Sequence, residues 1–295
     1  MKKVPRIAAP ALLAVAITWG AAFVLMKPAI EQQPFYDFLA TRFTLATLVM
    51  ILARPKVLRE FNLDLIKRGV PLGVLLGLGY ITQTIALELT TAAITGFLTG
   101  LYVVLTPLIA WIIFRKKIDK RVFIGVALAA VGLGLISLNG LTIEPGELWG
   151  ILCAVFFAAH IVGLGHLSPG KNVYVLTVLQ LGTMAVINWV CAIATDGGYQ
   201  APTNWDVWFA VIFTAVLATA VAFFVQTWAQ SLMDASRVAI ILTSEIVWAA
   251  AIAVAVGQEV LSLRTLVGGA IMLIAMLIVE LPTRKNDELA QTHFV

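Results

Sequence analysis

Ten apolar runs divide the chain, at about 7–26, 35–53, 69–87, 92–113, 121–138, 147–166, 173–194, 207–228, 236–256 and 263–281. A bilayer core takes roughly 20 apolar residues per helix, with a range of about 17–25, so each run reads as one crossing. Turn residues punctuate them: Pro28 and Pro34, Arg54-Pro55, Gly69 with Pro71, Glu144-Pro145-Gly146, Ser168-Pro169-Gly170 and Pro202. Between the third and fourth runs only Glu88 to Thr91 intervene, and the split is placed there. Composition agrees, with 61% hydrophobic and 12% charged residues, against about 25% charged in soluble proteins. The sequence therefore specifies an all-α integral membrane protein. Its net charge of +4 lies in short clusters between apolar runs, which marks topology and excludes a nucleic-acid surface. Cys153 and Cys191 both sit inside apolar runs, with neither disulfide nor metal-ligand spacing. The N-terminus resembles a signal peptide, but its apolar run continues to Met26 without a cleavage site and is assigned as the first span.

Basic residues set the orientation. With the N-terminus in the cytoplasm, 17 of the 20 Lys and Arg fall inside. Only Lys27 and Arg264 fall outside, and Arg42 lies within the second span. The positive-inside rule thus predicts both termini cytoplasmic.

A second constraint comes from self-similarity. Shifted by 143 residues, Gln83-Thr84 falls on Gln226-Thr227, Ala92 on Ala235, Arg121 on Arg264 and Gly125 on Gly268, without a gap. Two copies, 1–140 and 141–295, would each hold five spans. An odd number inverts the second copy, so the halves are expected to be related by an axis in the membrane plane, with a site near the midplane between them.

Particular residues carry a family resemblance across essentially the whole chain. They are Thr18-Trp19-Gly20 with Phe23 and Lys27-Pro28, Arg42-Phe43, Thr106-Pro107, and Gly257-Gln258-Glu259 followed by Arg264 and Gly268-Gly269. In these the chain resembles the EamA branch of the drug/metabolite transporter superfamily. Within that branch it is similar to bacterial inner-membrane exporters of aromatic and other neutral amino acids. The resemblance implies export by alternating access, with the first, third, fourth, sixth, eighth and ninth spans lining the cavity. It departs from many relatives in the ninth span, where Glu245-Ile246 stands in place of Glu-Pro. Proton-coupled antiport and facilitated diffusion both remain open.

Polar groups at bilayer depth are costly and mark cavities or partners. Thr95, Thr99, Tyr102 and Thr106 recur at spacings of four, three and four, forming one helical stripe. Threonines that bond back to their own helix are the alternative. Gly96 and Gly100 mark close packing beside that stripe, and Gly20 and Pro107 are the corresponding packing or gating positions among the family marks. Tyr80 and Gln83 share a face of the third span, and Gln226 is the repeat mate of Gln83. Glu245 is the one acid near mid-membrane and falls on Tyr102 under the shift. It reads either as a partner for a substrate ammonium or proton, or as half of a structural ion pair with Arg42. His160 reads as a titratable cavity residue or a hydrogen-bonded structural one. Trp19 and Trp248 are candidate aromatic walls, whereas Trp111, Trp149, Trp205 and Trp208 read as interfacial anchors. Gln180 and Asn188 read as packing contacts.

Enzyme classes fail on content. There is no HExxH, no Gly-x-Ser-x-Gly, no GxxxxGK[ST] and no intramembrane Asp pair, and three His cannot build a metal site. No cofactor is expected. The expected partners are a small-molecule substrate and membrane lipid, with no nucleic acid, and the chain is expected to act as a monomer, with a dimer as the alternative. Rival readings are a lipophilic-cation drug exporter on the same fold and a non-transporting membrane sensor.

Overall fold

The computed structural model describes residues 7–115, 120–137, 144–168, 170–195, 197–230, 241–260 and 262–280, and among them there is no strand. The helices are α1 (Ala8–Ile30), α2 (Phe35–Ala53), α3 (Leu63–Leu89), α4 (Ala92–Gly100), α5 (Tyr102–Phe114) and α6 (Lys120–Ser137). They continue with α7 (Pro145–Leu167), α8 (Val173–Ala194), α9 (Trp205–Ala215), α10 (Ala222–Gln230), α11 (Glu245–Ala255) and α12 (Leu263–Glu280). A π-helical segment, Val216–Val221, joins α9 to α10. Taken with their continuations, seven helices among the described residues are long and apolar enough to cross a membrane: Ala8–Ile30, Phe35–Ala53, Leu63–Leu89, Ala92–Ile113, Pro145–Leu167, Val173–Ala194 and Trp205–Gln226. Ile241–Ala255 and Leu263–Ile278 are shorter apolar helices. The outward faces are apolar too, as on α8, where Val186, Val190 and Ile193 are each more than 60% exposed. A multi-pass membrane protein presents such a surface to lipid.

Several ends differ from the runs read in the sequence, because side-chain caps extend the helices into polar residues. Asn62 accepts from Leu65 N at 3.0 Å, so α3 begins at Leu63 and carries Pro71 inside it. Asn204 caps α9 in the same way through Val207 N. At the start of α7, Glu144 and Glu147 close a capping box with Pro145 in the first turn. Each such cap contributes about 1 kcal/mol. The fourth apolar run is interrupted at Leu101, between α4 and α5, and Pro107 lies inside α5 instead of closing it. Position 236, where the ninth run was expected to begin, lies outside the described residues.

The Gly257-Gln258-Glu259 motif is a clasp. Gly257 has φ +74, which lets the chain turn sharply out of α11. Helix α1 runs on through Lys27-Pro28 to Ile30, and Pro28 lacks the N–H that would bond Val24 O. Gln258 Nε2 donates to that orphaned carbonyl at 3.2 Å, and Glu259 Oε1 accepts from Ala93 N, the first turn of α4, at 3.2 Å. Lys27 completes the arrangement, with Nζ donating to Leu87 O at 2.6 Å and Glu88 O at 2.8 Å at the end of α3. Four helix ends thus meet in one place, those of α1, α3 and α11 and the start of α4. Gln258→Leu, which strands the Val24 carbonyl, is expected to cost about 1–3 kcal/mol, read as a lower thermal midpoint in detergent.

The long packing contacts run α3 with α7 and α8, α2 with α8 and α9, and α6 with α12. Others pair α1 with α9, α10 and α11, α4 with α11, and α4 and α5 with α7. Their largest buried side chains, among them Phe38, Leu39, Phe43, Leu76, Leu181 and Met184, form one apolar cluster shared by α2, α3 and α8. Beside this cluster lies the polar group described next.

Candidate functional site

Tyr80, from α3, is the hub. It is 7% exposed, and its ring makes edge contacts with Phe43 of α2 at 5.1 Å and Phe157 of α7 at 5.3 Å. One turn further along α3, Gln83 Nε2 donates to Thr99 Oγ1 of α4 at 3.2 Å. Thr99 in turn meets Cys153 Sγ of α7 at 3.8 Å. Helices α3, α4 and α7 therefore converge on a small polar group enclosed by aromatic rings.

Two buried charges border it. Arg42, 2% exposed on α2, lies over two rings, with Cζ 5.0 Å from the Tyr80 centroid and 5.3 Å from that of Phe43. Its Nε donates to Thr219 Oγ1 at 3.1 Å and its Nη1 to Met26 Sδ at 3.1 Å. Glu245, 4% exposed at the start of α11, lies within electrostatic reach of the Tyr80 hydroxyl and the Cys153 thiol. Among the described residues the carboxyl has no hydrogen bond and no ion pair. The ion pairs there are Arg54–Glu60, Arg68–Asp64 and Lys171–Asp64, all partly exposed. The structural ion pair weighed for Glu245 and Arg42 is thus not formed. A buried carboxyl without a partner is costly to hold, so one beside a tyrosine that also carries a buried guanidinium invites a ligand.

The π segment builds the Arg42 side of this group. Thr219 receives the guanidinium, and the preceding carbonyl, Ala218 O, accepts Trp19 Nε1 at 2.8 Å. The wider π turn interrupts the regular ladder and is common at functional sites.

The profile of the EamA-like transporter family matches residues 6–138 and again 144–281. An uncharacterized transporter of Archaeoglobus fulgidus is 34% identical over 271 residues, spanning 92% of this chain and 84% of that protein. The uncharacterized transporter YetK of Bacillus subtilis is 24% identical over 218 residues, 70% of this chain and 66% of that one. A solved crystal structure shares the fold, with a TM-score of 0.67 over 94% of this chain and 97% of that one, at 18% identity. The chain belongs to the EamA-like transporter family. It is a transporter and not an enzyme.

The transporter distributes its other candidate residues unevenly. His160, 6% exposed on α7, gives its Nε2 to Gln180 Oε1 of α8 at 2.6 Å, while Gln180 Nε2 bonds Leu176 O. That contact ties α7 to α8. Tyr80 lies within electrostatic reach of Glu245, and Tyr102, expected opposite Glu245, packs on the cluster that holds Ile246, the residue next to Glu245. Tyr102 begins α5 beyond the Leu101 break, and the same cluster holds Phe97, Leu98 and Met276. Gln226 is half-buried in α10, unlike the enclosed Gln83. Trp19 and Trp248 are half-buried, with the Trp19 ring 6.1 Å from Phe223. Thr106 bonds back to Tyr102 O at 2.7 Å and Thr95 meets Thr90 Oγ1 at 2.9 Å, so the threonine stripe reaches the central group only at Thr99.

Gly20 packs tightly against backbone. A Cβ there would lie 2.7 Å from Ala249 N and Trp248 Cβ. One at Gly100 would meet only the side-chain ends of Ile246 and Met276, and one at Gly96 would reach Ala249 Cβ at an ordinary 3.4 Å. Sequence reasoning counted Arg42 only as a possible ion-pair partner and a family mark. Its position within an apolar run was the available signal.

Proposed function

We propose that this transporter exports small amphipathic metabolites, foremost aromatic and other neutral amino acids, across a bacterial inner membrane. Its ten spans form two inverted five-helix halves, 1–140 and 141–295, with both termini cytoplasmic, and the halves alternate access to a midplane site around Tyr80. The observation that carries the substrate reading is the enclosed Glu245 carboxyl beside an aromatic group, without a partner among the described residues. An ammonium with an apolar or aromatic body satisfies both features. The inverted arrangement is supported by packing that survives exchange of the halves. The contacts of α3 with α7 correspond to those of α10 with α1, and the contacts of α1 with α11 correspond to those of α4 and α5 with α7. The 143-residue shift and the doubled family match agree with it.

The same carboxyl and rings also suit a lipophilic cation, which is the second reading. Counterflow in proteoliposomes, with labelled phenylalanine against a panel of amino acids, aromatic amines and ethidium, separates the two. The expected result is exchange of phenylalanine and other neutral amino acids. Exchange of ethidium with none of phenylalanine overturns the amino-acid reading.

A further inference from the structure

The structure does not leave Glu245 as the sole charge for a ligand. Resting on the reading that the Tyr80 group is the substrate site, we propose that Arg42 is a substrate-binding residue. It binds the carboxylate of a zwitterion whose ammonium meets Glu245, which makes the site selective for free α-amino acids over amines and over acids.

The argument starts from what Arg42 already has. Five N–H donors sit on its guanidinium, and the hydroxyl of Thr219 and the sulfur of Met26 take one each. The rings of Tyr80 and Phe43 stabilise the charge from their faces. No carboxylate pairs with it among the described residues. Guanidinium presents a fork that matches a carboxylate, and such pairs are the strongest hydrogen bonds available to it. Tyr80 touches Arg42 through its ring and lies within the field of Glu245, so one tyrosine neighbours both the cation and the carboxyl.

The consequence is a rule of selection. A zwitterion compensates both buried ions in one binding event. A simple amine compensates Glu245 and leaves Arg42 facing a second cation. A simple acid does the converse at Glu245. Removing one partner from a charge-assisted pair in a dry site leaves the other unpaired, and that asymmetry yields strong discrimination. The π segment helps fix the geometry, because Thr219 holds Nε and the remaining donors of the guanidinium outnumber the partners that take them.

The test uses the full chain in proteoliposomes and four probes: phenylalanine, phenylalaninamide, phenethylamine and 3-phenylpropionate. The wild type is expected to be inhibited by the amide, the amine and the acid at least about tenfold more weakly than by unlabelled phenylalanine, the worth of one charge-assisted hydrogen bond. Arg42→Gln is expected to weaken phenylalanine about tenfold while leaving phenylalaninamide unchanged, and Arg42→Lys to restore part of the difference. Thr219→Val is expected to raise KM for phenylalanine without altering the amide. Wild-type protein that accepts phenylalaninamide as readily as phenylalanine overturns the role of Arg42 and leaves amino-acid transport standing. Wild-type protein that moves ethidium and no phenylalanine overturns the amino-acid reading and this inference with it, so the two failures are told apart. The analogue series needs no variant, and an Arg42→Gln chain that does not fold leaves the test intact.

Discussion

Glu245→Gln is expected to melt at a higher temperature than the wild type and to lose most of its amino-acid transport. Glu245 is 4% exposed, and its carboxyl has no hydrogen bond or ion pair among the described residues. Burying it costs free energy whether it is held as an unpaired anion or forced to keep its proton. Glutamine has the same length and no charge, so the substitution removes most of that cost without opening a cavity. The stabilisation expected is about 1–3 kcal/mol. Transport moves the other way, because the substrate ammonium loses a charge-assisted contact of about 1.5–3 kcal/mol, which is about 10–150-fold in affinity. Opposite signs identify a residue kept for function at the expense of stability. A thermal midpoint in detergent and counterflow of phenylalanine read the two effects on the same preparation. A midpoint that falls shows that Glu245 holds the fold together and refutes the assignment. Undiminished counterflow in the variant removes Glu245 from substrate and proton handling alike.

The helix interiors were legible because twenty consecutive apolar residues have few alternatives in a bilayer. The helix ends were less so. Asn62 and Asn204 extend their helices into polar residues, and nothing apolar in the sequence marks that choice. Tyr80, Gln83, Thr99 and Glu245 were read as site residues, and the structure brings them together, since all four are polar groups enclosed at helix crossings. Tyr102 was placed opposite Glu245 from the repeat shift, and in the structure it packs on the cluster that holds Ile246, the residue next to Glu245. Upstream of Gln226 the π segment widens the helix, and since each residue turns an α-helix by about 100°, a uniform shift does not by itself give the face that Gln226 presents. His160 and Gln180 were read separately, although they pair across α7 and α8, because interhelical partners depend on azimuth. Arg42 is the same problem at its most consequential. At about the depth of Glu245 an ion pair was a sound alternative, but the rings of Tyr80 and Phe43 take the guanidinium.

Gly20→Leu is expected to abolish transport and lower the thermal midpoint by several degrees, the largest structural effect among these substitutions. A Cβ at position 20 would lie 2.7 Å from Ala249 N, 2.7 Å from Trp248 Cβ and 2.9 Å from Trp248 C. Two of those atoms are backbone, so no rotamer change relieves the clash, and α1 must separate from α11. Overpacking of this kind costs about 1–3 kcal/mol or more, and the lost close approach of the two helices adds to it. The functional loss exceeds the stability loss for a reason of geometry. Ala249 lies one turn along α11 from Glu245, so displacing α11 at Gly20 carries the carboxyl away from Tyr80. Gly96→Ala tests the same argument in reverse. Its added Cβ meets Ala249 Cβ at an ordinary 3.4 Å, and alanine favours the helix by roughly 0.5–1 kcal/mol over glycine. That variant is therefore expected to melt at or above the wild-type temperature and to keep its transport rate. Equal damage from both substitutions implies that α1 and α4 share one tight seam on α11, whereas damage at Gly20 alone makes the α1–α11 crossing the element that sets the position of Glu245.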